Sequence, residues 1–151
     1  MTENRSARAE QPSRTPLHLW IIGGLSLLWN AVGAFDYVAT MIEFEPYMSG
    51  FTEEQLEYFY GFPAWVVSVW AVAVWGAFFG SVALLFRSRR ATWLFGASLA
   101  GFVVTSLYSF ALSNGAEVMG ATGVLFSVAV GIVAILLLLY ARRMTQRGVL
   151  R

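Results

Sequence analysis

Long apolar runs separated by short polar segments dominate this chain. Four such runs lie at about residues 17–42, 64–86, 91–113 and 120–141. Each is long enough to cross about 30 Å of hydrocarbon as a helix, which takes about 20 residues. Strands of a membrane barrel are only about 10 alternating residues long, so runs of this length exclude them. The pattern therefore predicts an all-α membrane protein, an antiparallel bundle of four transmembrane helices over residues 17–141.

The polar segment between the first two runs carries the signals of one short helix. Thr52-Glu53-Glu54-Gln55 is the capping-box pattern, in which a threonine N-cap is followed three residues later by glutamine. Gly61 and Pro63 mark the end of the helix. Its apolar side chains fall on one face: Leu56, Phe59 and Tyr60. We expect a short interfacial helix across the outer end of the bundle, with that face buried.

Charge is sorted between the two sides of the membrane. All ten basic residues are arginine, and they lie in residues 1–16, in the loop between the second and third runs, and in residues 142–151. The other loops carry glutamate and no arginine. This positive-inside pattern predicts that both termini are cytoplasmic, with a disordered tail at 1–16 and a basic tail at 142–151. Anionic lipid accounts for the basic side, so no nucleic-acid partner is expected.

Asp36 is the only acidic residue inside the four runs. A carboxylate at membrane depth is costly in lipid, so it should face protein or water. At about 100° per residue it shares a polar sector of the first helix with Asn30 and Tyr37. The second and third helices offer partners at matching depth. The candidate ligand-binding residues are thus Asn30, Asp36, Tyr37, Trp70, Tyr108 and Ser109. The sequence leaves open whether Asp36 serves a solute or proton site or only a hydrogen bond between helices.

Small polar side chains are more frequent in the outer halves of the predicted helices than in the inner halves. This asymmetry suggests a polar vestibule that opens outward and is closed by apolar packing inside. The alternative is that these hydroxyls bond to nearby backbone carbonyls, as serine and threonine often do in membrane helices.

Small residues also recur at four-residue spacing, as in Gly76 and Gly80 of the second run. Such grooves let helix backbones approach closely in lipid, where no hydrophobic force drives helices together. We expect a neighbouring helix of the same chain to fill this groove, and a dimer interface is the alternative.

No catalytic constellation is present, so the sequence predicts neither an enzyme nor a cofactor. The chain has no cysteine, and its one histidine, His18, lies at the inner boundary away from other metal ligands. It has no glycine-rich phosphate loop and no zinc-protease motif.

Several motifs resemble a family of small bacterial four-helix inner-membrane proteins that are often labelled sugar transporters. The residues that carry the resemblance are Trp29-Asn30, Gly33, Phe35-Asp36-Tyr37, the segment 51–56 and the segment 58–65. It covers residues 17–90 by motif and the remainder by hydropathy alone. The resemblance implies a bacterial inner-membrane location and supplies no catalytic residues.

Two functions follow as hypotheses. The first is a small transporter or solute-binding protein for a sugar-like polar solute, in which Asp36 and its neighbours line an outward-facing vestibule. The second is a non-transporting accessory or scaffold subunit, whose small-residue grooves pack against a larger membrane partner. Beyond the lipid bilayer itself, either function is compatible with a homo-oligomer.

Overall fold

The computed structural model describes residues 15–151, and within them every regular element is helical. The elements, in chain order, are α1 Leu17–Met41, α2 Glu45–Met48, α3 Glu53–Tyr60, α4 Ala64–Leu85, α5 Arg90–Leu107, a π-helical turn Tyr108–Leu112, and α6 Gly115–Gln146. Four of these segments are long and apolar enough to span a membrane: α1, α4, α5 with its π-helical turn, and α6. The predicted all-α four-helix membrane fold is confirmed. The predicted disordered tail lies outside the described residues, apart from Thr15 and Pro16.

The long helices pack in chain order, α1 against α4, α4 against α5, and α5 against α6. Short connections join α4 to α5 and α5 to α6, and the longer loop of residues 42–63 returns from α1 to α4 at the same end, so neighbouring helices run antiparallel. One end of the bundle, the arginine end, carries Arg87, Arg89, Arg90, Arg142, Arg143, Arg147 and Arg151. The opposite end, the acidic end, carries Glu43, Glu45, Glu53, Glu54, Glu57 and Glu117. The charge segregation of the sequence is thus a segregation in space.

Helices α4 and α5 form the closest pair, and glycine makes this possible. A methyl group added at Gly76 would lie 3.1 Å from the Leu94 carbonyl oxygen, and one at Gly80 would lie 2.9 Å from the Phe95 ring. Ser98 of α5 donates a hydrogen bond to the Ala73 carbonyl of α4 at 2.6 Å. The prediction that a helix of the same chain fills the Gly76/Gly80 groove is confirmed.

The short helix α3 forms as the sequence predicts. The Thr52 hydroxyl accepts a hydrogen bond from the Gln55 backbone N–H, while the Gln55 side chain accepts one from the Thr52 N–H, at 3.2 and 3.1 Å. The buried face differs from the expected one, because Tyr60 is 41% exposed. Tyr58 instead reaches the bundle, where its hydroxyl lies 2.9 Å from that of Ser113. A helical turn, α2, precedes α3 and carries no comparable sequence signal.

Helix α6 is longer at both ends than the predicted span of 120–141. Gly120 adopts φ 63°, a left-handed conformation that glycine tolerates, and this kinks the helix near the acidic end. Residues 121–146 then continue for about 39 Å. Arginine, methionine and glutamine are good helix formers, so the helix persists beyond the last apolar run into the predicted basic tail.

The last residues fold back onto the arginine end. Gly148, with φ 69°, reverses the chain after α6, as glycine often does beyond a helix C-cap. Val149 and Leu150 are then buried against α1, α4 and α5. The Arg151 backbone N–H donates to the Arg87 carbonyl at 2.7 Å, and the Arg89 N–H donates to the Arg151 carbonyl at 3.1 Å. The C-terminal segment therefore closes this end of the bundle.

Candidate functional site

Asp36 lies in the last turns of α1 at the acidic end and is partly buried. The Tyr47 hydroxyl, which comes from α2 in the loop, donates a hydrogen bond to its Oδ1 atom at 2.7 Å. The expected partners on the third helix or Trp70 make no hydrogen bond to it among the described residues. Tyr47 lies outside the membrane-spanning helices, and burial, followed by the hydrogen bond to Asp36 and its charge, raises the pKa of Tyr47 from 10.0 to about 12. The tyrosine therefore stays a hydrogen-bond donor throughout the neutral range.

A layer of aromatic rings covers the acidic end beside this pair. We call it the aromatic cap and define it as Tyr47, Phe51, Tyr58, Phe59 and Phe62. Successive rings meet in tilted or edge-on contacts, with centroids 5.7 Å apart for Tyr47 and Phe51 and 6.0 Å apart for Phe51 and Phe59. Edge-on geometry is the favoured one for aromatic pairs, since the ring edge is positive and the face negative. The cap thus joins the loop to the bundle as one packed unit.

Three of the six candidate residues are brought into one chain of aromatic contacts beneath the cap. The Tyr37 ring contacts Trp70 edge-on, with centroids 4.9 Å apart. Phe62 of the cap links Trp70 to Tyr108, with centroid distances of 6.4 and 5.7 Å. Since Tyr37 directly follows Asp36 in α1, the carboxylate and these rings belong to the same end of the molecule.

Asn30 is held elsewhere. Its side-chain amide donates to the Ser81 hydroxyl at 2.9 Å and to the Ala77 carbonyl at 3.3 Å. Ser81 is fully buried and lies one turn from the arginine end of α4. Asn30 therefore binds α1 to α4 and is separate from the Asp36 group.

Ser109 is buried at the start of a π-helical turn, which widens the end of α5. Its carbonyl accepts a hydrogen bond from the Ser113 hydroxyl at 3.0 Å, and Ser113 in turn lies against Tyr58 of the cap. A π-helical turn, which adds a residue to the normal helical turn, often marks a functional position in a helix. Here the turn ties the third membrane helix to the cap.

The hydroxyl groups near the acidic end bond mainly to their own helices. Thr40, Ser68, Thr105 and Ser113 each donate to the carbonyl four residues earlier. This is the alternative that the sequence left open, and it accounts for these four hydroxyls without a polar vestibule. What distinguishes the acidic end is the carboxylate under an aromatic cover.

Sequence reasoning missed Tyr47 and Phe62, which complete the site. Both lie outside the apolar runs on which the search for partners depended. The available signal was the density of aromatic residues in the first loop, at positions 44, 47, 51, 58, 59, 60 and 62. Such a density is unusual for a solvated loop and indicates that the loop is packed.

No group of three or more His, Cys, Asp or Glu side chains within residues 15–151 is arranged to hold a metal ion. Comparisons of the chain with models of protein families, with curated proteins and with solved structures gave no significant match.

Proposed function

We propose that this is an inner-membrane protein with both termini in the cytoplasm, which binds a neutral, hydroxyl-rich solute of the sugar type at its acidic end. The observation that carries the proposal is the Asp36–Tyr47 hydrogen bond, at 2.7 Å. Asp36, the one carboxylate within the four apolar runs, is bonded to a side chain of the surface loop and not to another membrane helix. A partner on a loop can move away and leave the carboxylate to a ligand.

The chemistry of the surrounding groups suits such a ligand. Asp36 accepts hydrogen bonds, and the Tyr47 hydroxyl can donate one or accept one. The faces of Tyr37 and Trp70 offer apolar surfaces of the size of a sugar ring, and binding sites combine such surfaces with a few placed polar groups. The glutamates of the loop disfavour anionic solutes electrostatically, so a neutral solute fits better than an acidic one.

The orientation rests on the segregation of charge. All arginines of the described chain lie at one end of the bundle and the loop glutamates at the other. Because the positive end is retained in the cytoplasm, the acidic end is assigned to the outside. Membership in the small four-helix family that the motifs resemble is part of the same proposal.

Single-cysteine variants test this orientation cleanly, because the natural chain contains no cysteine. With a membrane-impermeant thiol reagent on intact cells, Glu54→Cys should be labelled and Arg89→Cys should be protected until the cells are lysed. The opposite result would place the acidic end inside and remove an external solute site.

Binding is tested with purified protein titrated with a panel of mono- and disaccharides and polyols, using tryptophan fluorescence and calorimetry. A ligand should bind the natural protein and lose at least tenfold in affinity on Asp36→Asn or Tyr47→Phe. Tyr60→Phe is the matched control, since Tyr60 lies in the same loop but is 41% exposed and lies outside the aromatic cap. Equal affinity for Asp36→Asn and Tyr60→Phe would refute the site.

A non-transporting accessory role is the second candidate. It is favoured by the use of Asn30 and Ser98 in bonds between helices, which leaves few polar groups to line a path through the bundle. Proteoliposomes that contain this protein alone distinguish the two. Uptake of the bound solute, abolished by Asp36→Asn, indicates a transporter, whereas binding without uptake indicates a solute-binding accessory subunit.

A further inference from the structure

Helices α1 and α6 contact each other near the arginine end and again farther along the bundle. At the arginine end, the His18 Nδ1 atom lies 2.6 Å from the Tyr140 hydroxyl oxygen. Farther along, the Trp29 and Phe126 rings contact each other with their centroids 6.3 Å apart. An open groove of about 600 Å³ runs along the two helices beside these contacts. Its walls include Leu25, Leu28, Trp29, Val32, Val133 and Leu136.

A second space, of about 340 Å³, continues the groove towards the arginine end and reaches Tyr140 and Arg143. The two share Ile22, Leu136 and Leu137, so they form one path along α6. From Val133 to Arg143 the path covers ten residues of helix, about 15 Å. That is half of the roughly 30 Å hydrocarbon thickness, so the groove spans one leaflet.

Among residues 15–151, the side chains that carry charge at the mouth of the groove are all positive. Arg143 lines it, Arg142 precedes Arg143 directly, and Arg147 follows about one helical turn later. The acidic residues of the described chain all lie towards the acidic end, well away from this mouth. An arginine at the headgroup level pairs well with a phosphate, because its planar guanidinium offers two parallel donors. Anionic lipid headgroups are attracted to such positions.

We propose that the α1/α6 groove is a binding site for one anionic phospholipid of the leaflet at the arginine end. An acyl chain lies in the apolar groove, and the phosphate bonds to Arg143. A helix of another protein fits less well, because helix contacts in membranes favour small residues that let backbones approach. Leucine, valine and tryptophan line this groove instead. The site lies at the end opposite to the proposed solute site and does not depend on it.

Native mass spectrometry of the full-length protein in detergent tests the site. The protein is titrated with phosphatidylglycerol and, separately, with phosphatidylcholine carrying the same acyl chains. We expect one phosphatidylglycerol to be retained with saturable affinity. Arg143→Gln should lower that affinity about fivefold, the factor for one arginine near an anionic surface, and should affect phosphatidylcholine less, because its choline group offsets the charge of the phosphate. Arg142→Gln is the matched control, because this neighbouring residue is exposed and is absent from the groove lining.

A second pair of variants tests the groove itself. Val32→Trp should fill its far end and abolish retention of the lipid, whereas Val103→Trp, at an exposed position of α5, should not. If Arg143→Gln and Arg142→Gln lower the affinity for phosphatidylglycerol equally, the proposal is overturned, because diffuse surface charge then accounts for binding. Retention of the lipid by Val32→Trp would overturn it as well. So would the finding that the natural protein binds no lipid and forms a dimer that Val32→Trp dissociates. If Val32→Trp fails to fold, the two arginine variants still decide, since they change only surface charge.

Discussion

Replacing Leu150 by alanine tests how the arginine end is held together. Leu150 is fully buried and packs in a cluster with Leu19 and Leu84, although it is the second-last residue of the chain. Truncating a buried leucine to alanine costs about 2–5 kcal/mol, because the lost transfer free energy adds to that of the cavity. The C-terminal segment is short and can relax into the space, so we expect the low end of that range, about 2–3 kcal/mol.

The measurement is reversible unfolding in mixed micelles with increasing dodecyl sulfate, followed by helical circular dichroism. Leu125→Ala is the matched control, because Leu125 is 71% exposed on the lipid-facing side of α6 and should change the free energy of unfolding by less than about 0.5 kcal/mol. Deleting residues 149–151 should cost more than Leu150→Ala. It also removes Val149 and the bonds that the Arg87 and Arg89 side chains donate to the carbonyls of residues 149 and 150, at 3.2 and 3.3 Å. If Leu150→Ala and Leu125→Ala lower stability equally, the packing of the C-terminal segment is refuted.

Three further outcomes are expected. Gly80→Leu should destabilise the bundle by about 1–3 kcal/mol, since the Cβ of the new leucine would lie 2.9 Å from the Phe95 ring. Gly24→Ala should be neutral in the same unfolding assay, because a Cβ at that position meets nothing within 4 Å. Asn30→Leu should lower stability by about 0.6–1.7 kcal/mol, from the average to the maximum for hydrogen bonds between membrane helices, and unchanged stability would contradict a bridging role. The pKa of Tyr47 is raised to about 12 in the folded protein, so its contribution to stability is complete below about pH 10 and is lost as the pH rises through 12. Tyr47→Phe should therefore remove one tyrosine ionisation near pH 12 from the ultraviolet titration, and an unaltered titration curve would show that this tyrosine is not perturbed.

The elements that the sequence determined are those whose causes lie within a few residues. Hydropathy and length predict the four spans, because the cost of exposing polar backbone in lipid leaves a helix as the available structure. The capping box of α3 joins Thr52 to Gln55, three residues later, so its hydrogen bonds can be predicted from the local sequence. The Gly76/Gly80 spacing predicts a close helix contact because it repeats on one face of α4. The membrane depth of Asp36 also follows from its position in the run.

Tertiary structure decided which groups meet. The partner of Asp36 depends on the path of an irregular loop, and no periodicity predicts that Tyr47 returns over the end of α1. Asn30 and Asp36 share a face of α1, yet they bond to different elements. Asn30 lies beside α4, whereas Asp36 lies under the loop that carries Tyr47. The burial of Leu150 follows from the reversal at Gly148, beyond the last apolar run. The α1/α6 groove depends on how the first and last helices lie against each other, which no local pattern of residues determines. Local energetics determine where helices form, whereas side-chain partnerships arise when the helices are oriented against one another.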